Sequence, residues 1–229
     1  IDTATLSNPL LNRAEKDIRR PDLHLLKLMR EPKYLGYAAK ILLNVELLPI
    51  QVVVLRELWS RPFPMFVASR GFGKSWLMSV YAMLKCALIP GTKVVVVGAA
   101  FRQSKVIFEY METLWRDAPI LRSICDTNSG PRRDTDRCTM RINDSWAIAV
   151  PLGDGTKIRG LRAHTIIADE FASIPPDIYE TVVAGFAAVS ASPVQNVKEA
   201  ARRKAMKEQG VWTDDLEGKY KTKRANQAI

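Results

Sequence analysis

Long apolar runs, paired cysteines and clustered histidines are all missing from this chain of 229 residues. No stretch approaches the roughly 20 uninterrupted apolar residues that a bilayer-crossing helix needs, so no membrane span is expected. No signal-peptide pattern is visible at the amino terminus. Cys86, Cys125 and Cys138 are odd in number, scattered and without a CxxC pair, which excludes a disulfide framework and points to a reducing compartment. His24 and His164 are the only histidines, and neither has a partner at metal-ligand spacing, so a zinc site is discarded and both read as structural. Internal repeats and low-complexity tracts are absent too.

What is present describes an ordinary globular protein: 47% hydrophobic and 25% charged residues, enough chain for one substantial core. A net charge of +10 makes a polyanion a fitting partner. The cations gather in Arg132, Arg133, Arg137 and Arg141, in Lys157, Arg159 and Arg162, and in a tail from Lys198 to Arg224. That tail also carries Glu199, Glu208, Asp214, Asp215 and Glu217, so a solvated helical face accounts for it as well as nucleic-acid contact does.

Residues 1–46 read as helices punctuated by Pro9, Pro21 and Pro32, an extension ahead of the core. From residue 49 onward, apolar strand-like runs alternate with helical segments, the pattern of a parallel α/β sheet. Pro64–Ala68 suits a central strand, and Trp76–Ile89 a helix that Pro90 stops. Lys93–Gly98 is a β-branched run for a strand buried on both faces, and Phe101–Arg116 is an amphipathic helix. Residues 127–137 read as a surface loop. Cys138–Ile142 and Trp146–Pro151 flank Asn143-Asp144-Ser145 as an antiparallel hairpin. His164–Ala168 reads as another buried strand, Pro175-Pro176-Asp177 opens a helix, and Ala187–Ser192 reads as a last core strand.

Between the first strand and its helix lies Ala68-Ser69-Arg70-Gly71-Phe72-Gly73-Lys74-Ser75. A phosphate-binding (Walker A) loop is Gly, four variable residues, Gly, Lys, then Ser or Thr, and here Ala68 replaces the first glycine while Arg70 sits inside the loop. Backbone N–H groups around Gly71 and Gly73 are expected to close on phosphate oxygens, helped by the helix N-terminus. Lys74 then neutralises the β- and γ-phosphates of ATP, Ser75 takes one position on Mg²⁺, and Arg70 adds a second cation near the γ-phosphate.

The strand ending at Ala168 runs into Asp169-Glu170, a Walker B arrangement. Asp169 is expected to hold Mg²⁺ through its water shell, with Glu170 as the general base on the attacking water. Gln51, in Leu48-Pro49-Ile50-Gln51, has an amide suited to the adenine edge. Ser190-Ala191-Ser192 ends the last strand, where small hydroxyls are placed to sense the γ-phosphate. Gly155–Arg162 offers cations near the catalytic edge.

Together, Gln51, the loop Ser69–Ser75 with its arginine, Arg159-Gly160, Asp169-Glu170 and Ser190-Ala191-Ser192 resemble the ATPase domain of the large terminase subunit of tailed double-stranded DNA phages. The resemblance covers roughly residues 45–195. It implies a three-layer P-loop NTPase of the ASCE or RecA-like kind, with a mostly parallel central sheet. It further implies an ATP-driven motor that packages viral double-stranded DNA through a portal into a preformed capsid, in the host cell cytoplasm. Residues 1–46 are then the N-terminal extension, 47–192 the ATPase core, and 193–229 a lid or linker toward a nuclease domain that this stretch of chain does not hold.

The family works as a homo-oligomeric ring with portal protein and small terminase subunit as partners, and one subunit lends an arginine to its neighbour's ATP. Arg159 best matches that position, with Arg162 in reserve. A two-core helicase shares the glutamine, the Asp-Glu pair and the coupling motif, but needs a second core in the same chain. A DNA clamp that holds ATP without cleaving it has no need of Glu170.

Overall fold

The computed structural model describes residues 21–98, 100–151, 163–178 and 227–228. Helix α1 (Pro21–Met29) leads through a single 3-10 turn at Pro32–Tyr34 into α2 (Leu35–Leu43). Proline opens α1, the 3-10 turn and α3 (Pro49–Ser60), because its fixed φ suits a first turn and its missing N–H is one that the helix leaves unused. Helix α2 stops at Asn44, whose left-handed φ of 56° lets its N–H turn back to the carbonyl of Ala39.

Helix α4 (Lys74–Leu88) is the spine of the core. Leu77, Val80, Tyr81, Ala82, Met83 and Leu84 are all fully out of solvent, which is what an apolar surface on every side of a helix requires. Leu35, Ala38, Ala39 and Leu43 from α2 enter the same apolar cluster, so the N-terminal helices share the core with α4.

Around α4 and α5 (Phe101–Arg116) runs a sheet of β1 (Lys93–Gly98), β2 (Gly130–Arg133), β3 (Cys138–Ile142), β4 (Ser145–Pro151), β5 (Thr165–Asp169) and β6 (Gln227–Ala228). A short α6 (Pro119–Ile124) follows α5. The strand order is β2-β3-β4-β1-β5-β6; β1 is parallel to both β4 and β5, β6 is parallel to β5, and β2-β3-β4 form an antiparallel meander on one side. Val94 and Val96 face the cluster containing α4 and α5, while Val95 and Val97 are equally buried on the opposite face. Burial on both faces is the condition under which a parallel sheet is stable, and it makes this sheet the middle layer of a three-layer α/β fold.

The entry to β1 is locked from both sides. The Lys93 N–H donates to His164 Nδ1 (3.1 Å) and the His164 N–H donates to the Lys93 carbonyl (2.8 Å). On the other side the Thr92 N–H donates to Ser145 Oγ (3.1 Å). Burial, then the charge of Lys93, hold the His164 imidazole below its ordinary pKa and keep it the acceptor this bond needs.

Two sequence expectations change here. Within the expected surface loop 127–137, Gly130–Arg133 pairs with Arg141–Cys138 as an edge strand. Its side chains are polar because an edge strand that is exposed on its outer rim is best guarded by charge and proline, here Pro131, Arg132 and Arg133. Pro64–Ala68, expected as a central strand, pairs with no strand among the described residues. A cavity of about 650 Å³ separates it from β5, so the two present side chains to a common space instead of sharing a hydrogen-bond ladder. The alternation of a strand persists: Phe63, Met65 and Val67 are exposed (68%, 81% and 82%), while Pro64, Phe66 and Ala68 are half-buried.

One polar group in the core is costly. Lys85 of α4 is only 7% exposed, with its ammonium 4.2 Å from the Trp59 ring centre and 5.3 Å from that of Tyr81. Burial lowers its pKa to about 8, and the two rings offset part of that cost by cation–π attraction. Because the folded state gives up the proton before the unfolded state does, the penalty is complete below pH 8 and fades as pH rises toward the ordinary lysine value of 10.5. Lys85→Met is therefore expected to stabilise the fold by about 1–3 kcal/mol at neutral pH, a gain that shrinks steadily above pH 8 in denaturant titrations. A gain that does not change with pH would show that the ammonium is not the source of the cost.

Candidate nucleotide site

The loop from Ala68 to Ser75 turns on two glycines. Gly71 (φ 85°) and Gly73 (φ 83°) both lie in the left-handed region that costs side-chain-bearing residues roughly 1–2 kcal/mol, and a Cβ on Gly71 would meet no atom within 4 Å. The loop thus presents open backbone on that side. Phe72 is anchored by an edge-to-face contact with Phe66 (5.6 Å between ring centres), and the Phe72 N–H closes a turn on the Ser69 carbonyl (3.4 Å). Ser69 and Arg70 are exposed at the tip, and Ser75 is half-buried in the first turn of α4. Lys74 Nζ donates to the Ala68 carbonyl (2.8 Å), so its ammonium is folded across the loop that it begins the helix for.

Asp169 and Glu170 line one cavity with Lys74 of this loop. Asp169 is the last residue of β5, half-buried, and Glu170 follows it exposed, in a left-handed conformation (φ 48°, ψ 48°) that few non-glycine residues take. Burial pushes the Asp169 carboxyl above the ordinary range; a hydrogen bond from the Glu170 N–H (3.1 Å) pulls it back, the Glu170 charge pushes it up again, and Lys74 draws it down. A carboxylate that burial makes costly to ionise is one that a cation stabilises, which suits Asp169 to Mg²⁺. Lys74, Asp169 and Glu170 supply the charged lining of the cavity between residues 63–67 and β5, whose other walls are apolar, Met78 and Ile167 among them.

Gln51 also arrives here. It sits at the third position of α3, buried, with Oε1 accepting the Leu48 N–H (3.0 Å) as half of a capping box, and its Nε2 lies 3.9 Å from where a Cβ on Gly73 would stand. The structure therefore brings Gln51, Ser69–Ser75, Asp169 and Glu170 together. Arg159, Arg162, Ser190, Ala191 and Ser192 lie outside the described residues.

The sequence reading missed one residue. Gln103 occupies the third position of α5 as Gln51 does in α3: its Oε1 accepts the Ala100 N–H (3.0 Å), and its Nε2 donates to Glu170 Oε2. The signal was available in the glutamine three residues past a strand-to-helix junction, the capping-box spacing, but nothing local in the sequence says that Glu170 would be its second partner.

Two members of the arginine cluster, by contrast, are paired with acids. Arg133 makes a two-pronged ion pair with Glu112, and Arg137 pairs with Asp134 (3.4 Å).

Glycine-turned loop, lysine at a helix start and an acidic strand end on a mostly parallel sheet define the class: a P-loop α/β fold. Compared with solved structures, the chain aligns with the large terminase ATPase domain of Thermus phage P74-26 at a TM-score of 0.50 and 17% identity, over 64% of this chain and 62% of that one. A point mutant of that domain, with an arginine replaced by alanine, aligns at 0.52 and 15% identity over the same shares, 64% and 62%. The large terminase of bacteriophage HK97 aligns more loosely, at 0.48 and 16% identity over 61% of this chain and 30% of that one. The chain has the fold of a phage large terminase ATPase domain, and the alignment spans less than two thirds of the length of each of these proteins. No protein-family model and no curated protein matches the sequence. Among the described residues no helix is long and apolar enough to cross a membrane.

Alanine at Gly71 or Gly73 is expected to cost about 1–2 kcal/mol of stability each and to distort the loop. In thermal melts, ATP should raise the melting temperature of the parent chain but not that of Gly73→Ala; an equal rise in both would remove the loop from nucleotide binding.

Proposed function

We propose that this chain is the ATP-hydrolysing part of a motor that drives double-stranded viral DNA into a preformed capsid. The observation that carries the reading is the meeting of Lys74, Asp169 and Glu170 at one cavity, beside a loop whose two left-handed glycines leave backbone open to phosphate. Lys74, released from the Ala68 carbonyl, moves onto the β- and γ-phosphates. Arg70 at the exposed loop tip adds charge on the γ side, and Gln51, beside Gly73, offers its amide to the adenine edge. Ser75 and Asp169 would hold Mg²⁺, which supplies charge neutralisation at the phosphate oxygens.

Glu170 takes a proton from water as the oxygen attacks the γ-phosphorus. The bond from that phosphorus to the β–γ bridging oxygen breaks, and ADP and phosphate leave. An exposed Glu170 has access to such a water, and a clamp that merely holds ATP gains nothing from a base there.

The finer assignments are part of the same proposal. Subunits assemble as a ring at the portal, with Arg159, or Arg162 in its place, completing the neighbour's site; Ser190-Ala191-Ser192 passes loss of the γ-phosphate onward. Residues 47–192 form the ATPase core, with 193–229 as lid or linker. The net charge of +10 suits DNA as substrate, with the portal and a small terminase subunit as further partners in the host cytoplasm. The self-pairing of Arg133 and Arg137 argues against the β2–β3 edge as the gripping surface.

Phosphate release should require Mg²⁺ and be abolished in Glu170→Gln with ATP binding retained, a loss of about 10²–10⁴ in rate. An arginine supplied in trans is worth about 10³–10⁵ in rate, so turnover per subunit is expected to rise with protein concentration. Arg159→Ala subunits mixed with Lys74→Ala subunits should regain activity that neither has alone. A mixture that stays inactive, although both variants fold and assemble, removes Arg159 from the role. Undiminished turnover in Glu170→Gln removes the hydrolytic mechanism itself.

A further inference from the structure

We infer that Gln103 is a positioning residue that aims the Glu170 carboxylate, and that Gly98 is glycine to leave room for it; the inference rests on the hydrolytic reading above. Three observations meet at this point. Gln103 Nε2 donates to Glu170 Oε2 across a separation of 67 residues in sequence. Gln103 is itself held, with Oε1 accepting the Ala100 N–H at 3.0 Å. And a Cβ placed on Gly98 would lie 3.0 Å from Gln103 Cβ, 3.1 Å from its Oε1 and 3.3 Å from the Ala100 carbonyl oxygen, tighter than nearly all Cβ contacts, so Gln103 would have to give way.

The chemistry is unambiguous about which end of the amide points where. A backbone N–H needs the amide oxygen and a carboxylate needs the amide nitrogen, so one orientation alone satisfies both neighbours. Glu170 needs such a restraint. It is exposed, it follows the end of β5, and its left-handed backbone gives it no neighbouring strand to lean on. Binding Oε2 to Gln103 removes rotational freedom from the carboxylate and leaves Oε1 as the oxygen that takes the proton from water. Gln103 touches no reacting atom.

Two substitutions separate this role from simple support of α5. Gln103→Leu keeps the volume and removes both hydrogen bonds. Gln103→Glu keeps an acceptor for Ala100 but sets a second carboxylate against Glu170, which replaces the tether by repulsion. With Mg²⁺ and ATP at a protein concentration where the parent turns over, Gln103→Leu should lower kcat about 10- to 100-fold with KM within about twofold, a share of what a general base contributes. Gln103→Glu should lower kcat at least as far, again with little change in KM. Gly98→Ala, whose Cβ would crowd Gln103 Cβ and Oε1, should lower kcat in the parent.

A readout without turnover completes the test. In ¹⁵N-labelled chain the side-chain amide signal of Gln103 should shift when Glu170→Ala removes its acceptor. Unchanged kcat in both Gln103 variants, a rise in kcat in Gln103→Leu, or an amide signal blind to loss of the Glu170 carboxylate would each overturn the inference while Glu170→Gln still stops hydrolysis. Turnover surviving in Glu170→Gln would instead sink the hydrolytic reading on which it stands.

Discussion

The parallel register of β1 and β5 is the constraint on which the site depends. Gly98 lies opposite Asp169, so whatever follows each strand emerges at the same edge: Ala100 and the first turn of α5 from one, Glu170 from the other. A parallel pair that slipped by one residue would turn Asp169 to the opposite face and carry Glu170 away from Gln103. The register is held at the far end by the reciprocal bonds between Lys93 and His164, and along its length by valines and isoleucines buried on both faces. A histidine thus fixes, some five residues upstream, where Asp169 and Glu170 emerge.

Helix starts supply the other half of the geometry. The loop 68–75 delivers Lys74 at the N-terminus of α4, where backbone N–H groups and the helix dipole favour anions. Helices α3 and α5 each begin with an apolar N-cap residue and a glutamine at the third position, and each glutamine uses its oxygen on its own helix. That leaves two amide nitrogens, one beside Gly73 and one on Glu170. Capping and site building are the same act here: each oxygen holds its own helix start, and each nitrogen is left to the site.

Much of this was legible locally. Lys93–Gly98 and Phe101–Arg116 lie where the sequence predicts them, because a β-branched run and a strong amphipathic period leave no alternative reading. The phosphate loop and the acidic strand end were readable because backbone turns and charge need particular residue types. Edge strand β2 was not, since guarding an edge with Pro131 and two arginines erases the alternation that marks a strand. Gln103 escaped for a different reason: its partner is 67 residues away, and only the β1–β5 register makes them neighbours. The placement of residues 64–68 is likewise a question of partner, and their alternating exposure is strand-like while their hydrogen bonding is not.

That last point bears on how the two halves of the site hold together. Among the described residues, no backbone ladder joins the segment before the phosphate loop to β5; a cavity of about 650 Å³ stands between them. The loop is held instead from behind, through α4 and its packing on α2, α5 and the sheet, and from within, by the Phe66–Phe72 contact and the Lys74 bond to Ala68. Across the gap the coupling is electrostatic: Lys74 lowers the pKa of Asp169, opposing burial. An anion bound to Lys74, with a cation between it and Asp169, would replace one weak field across the cavity by a chain of close contacts. In a medium of low polarity such contacts strengthen one another. Such a ligand would then connect the loop to the strand end where Gln103 holds Glu170.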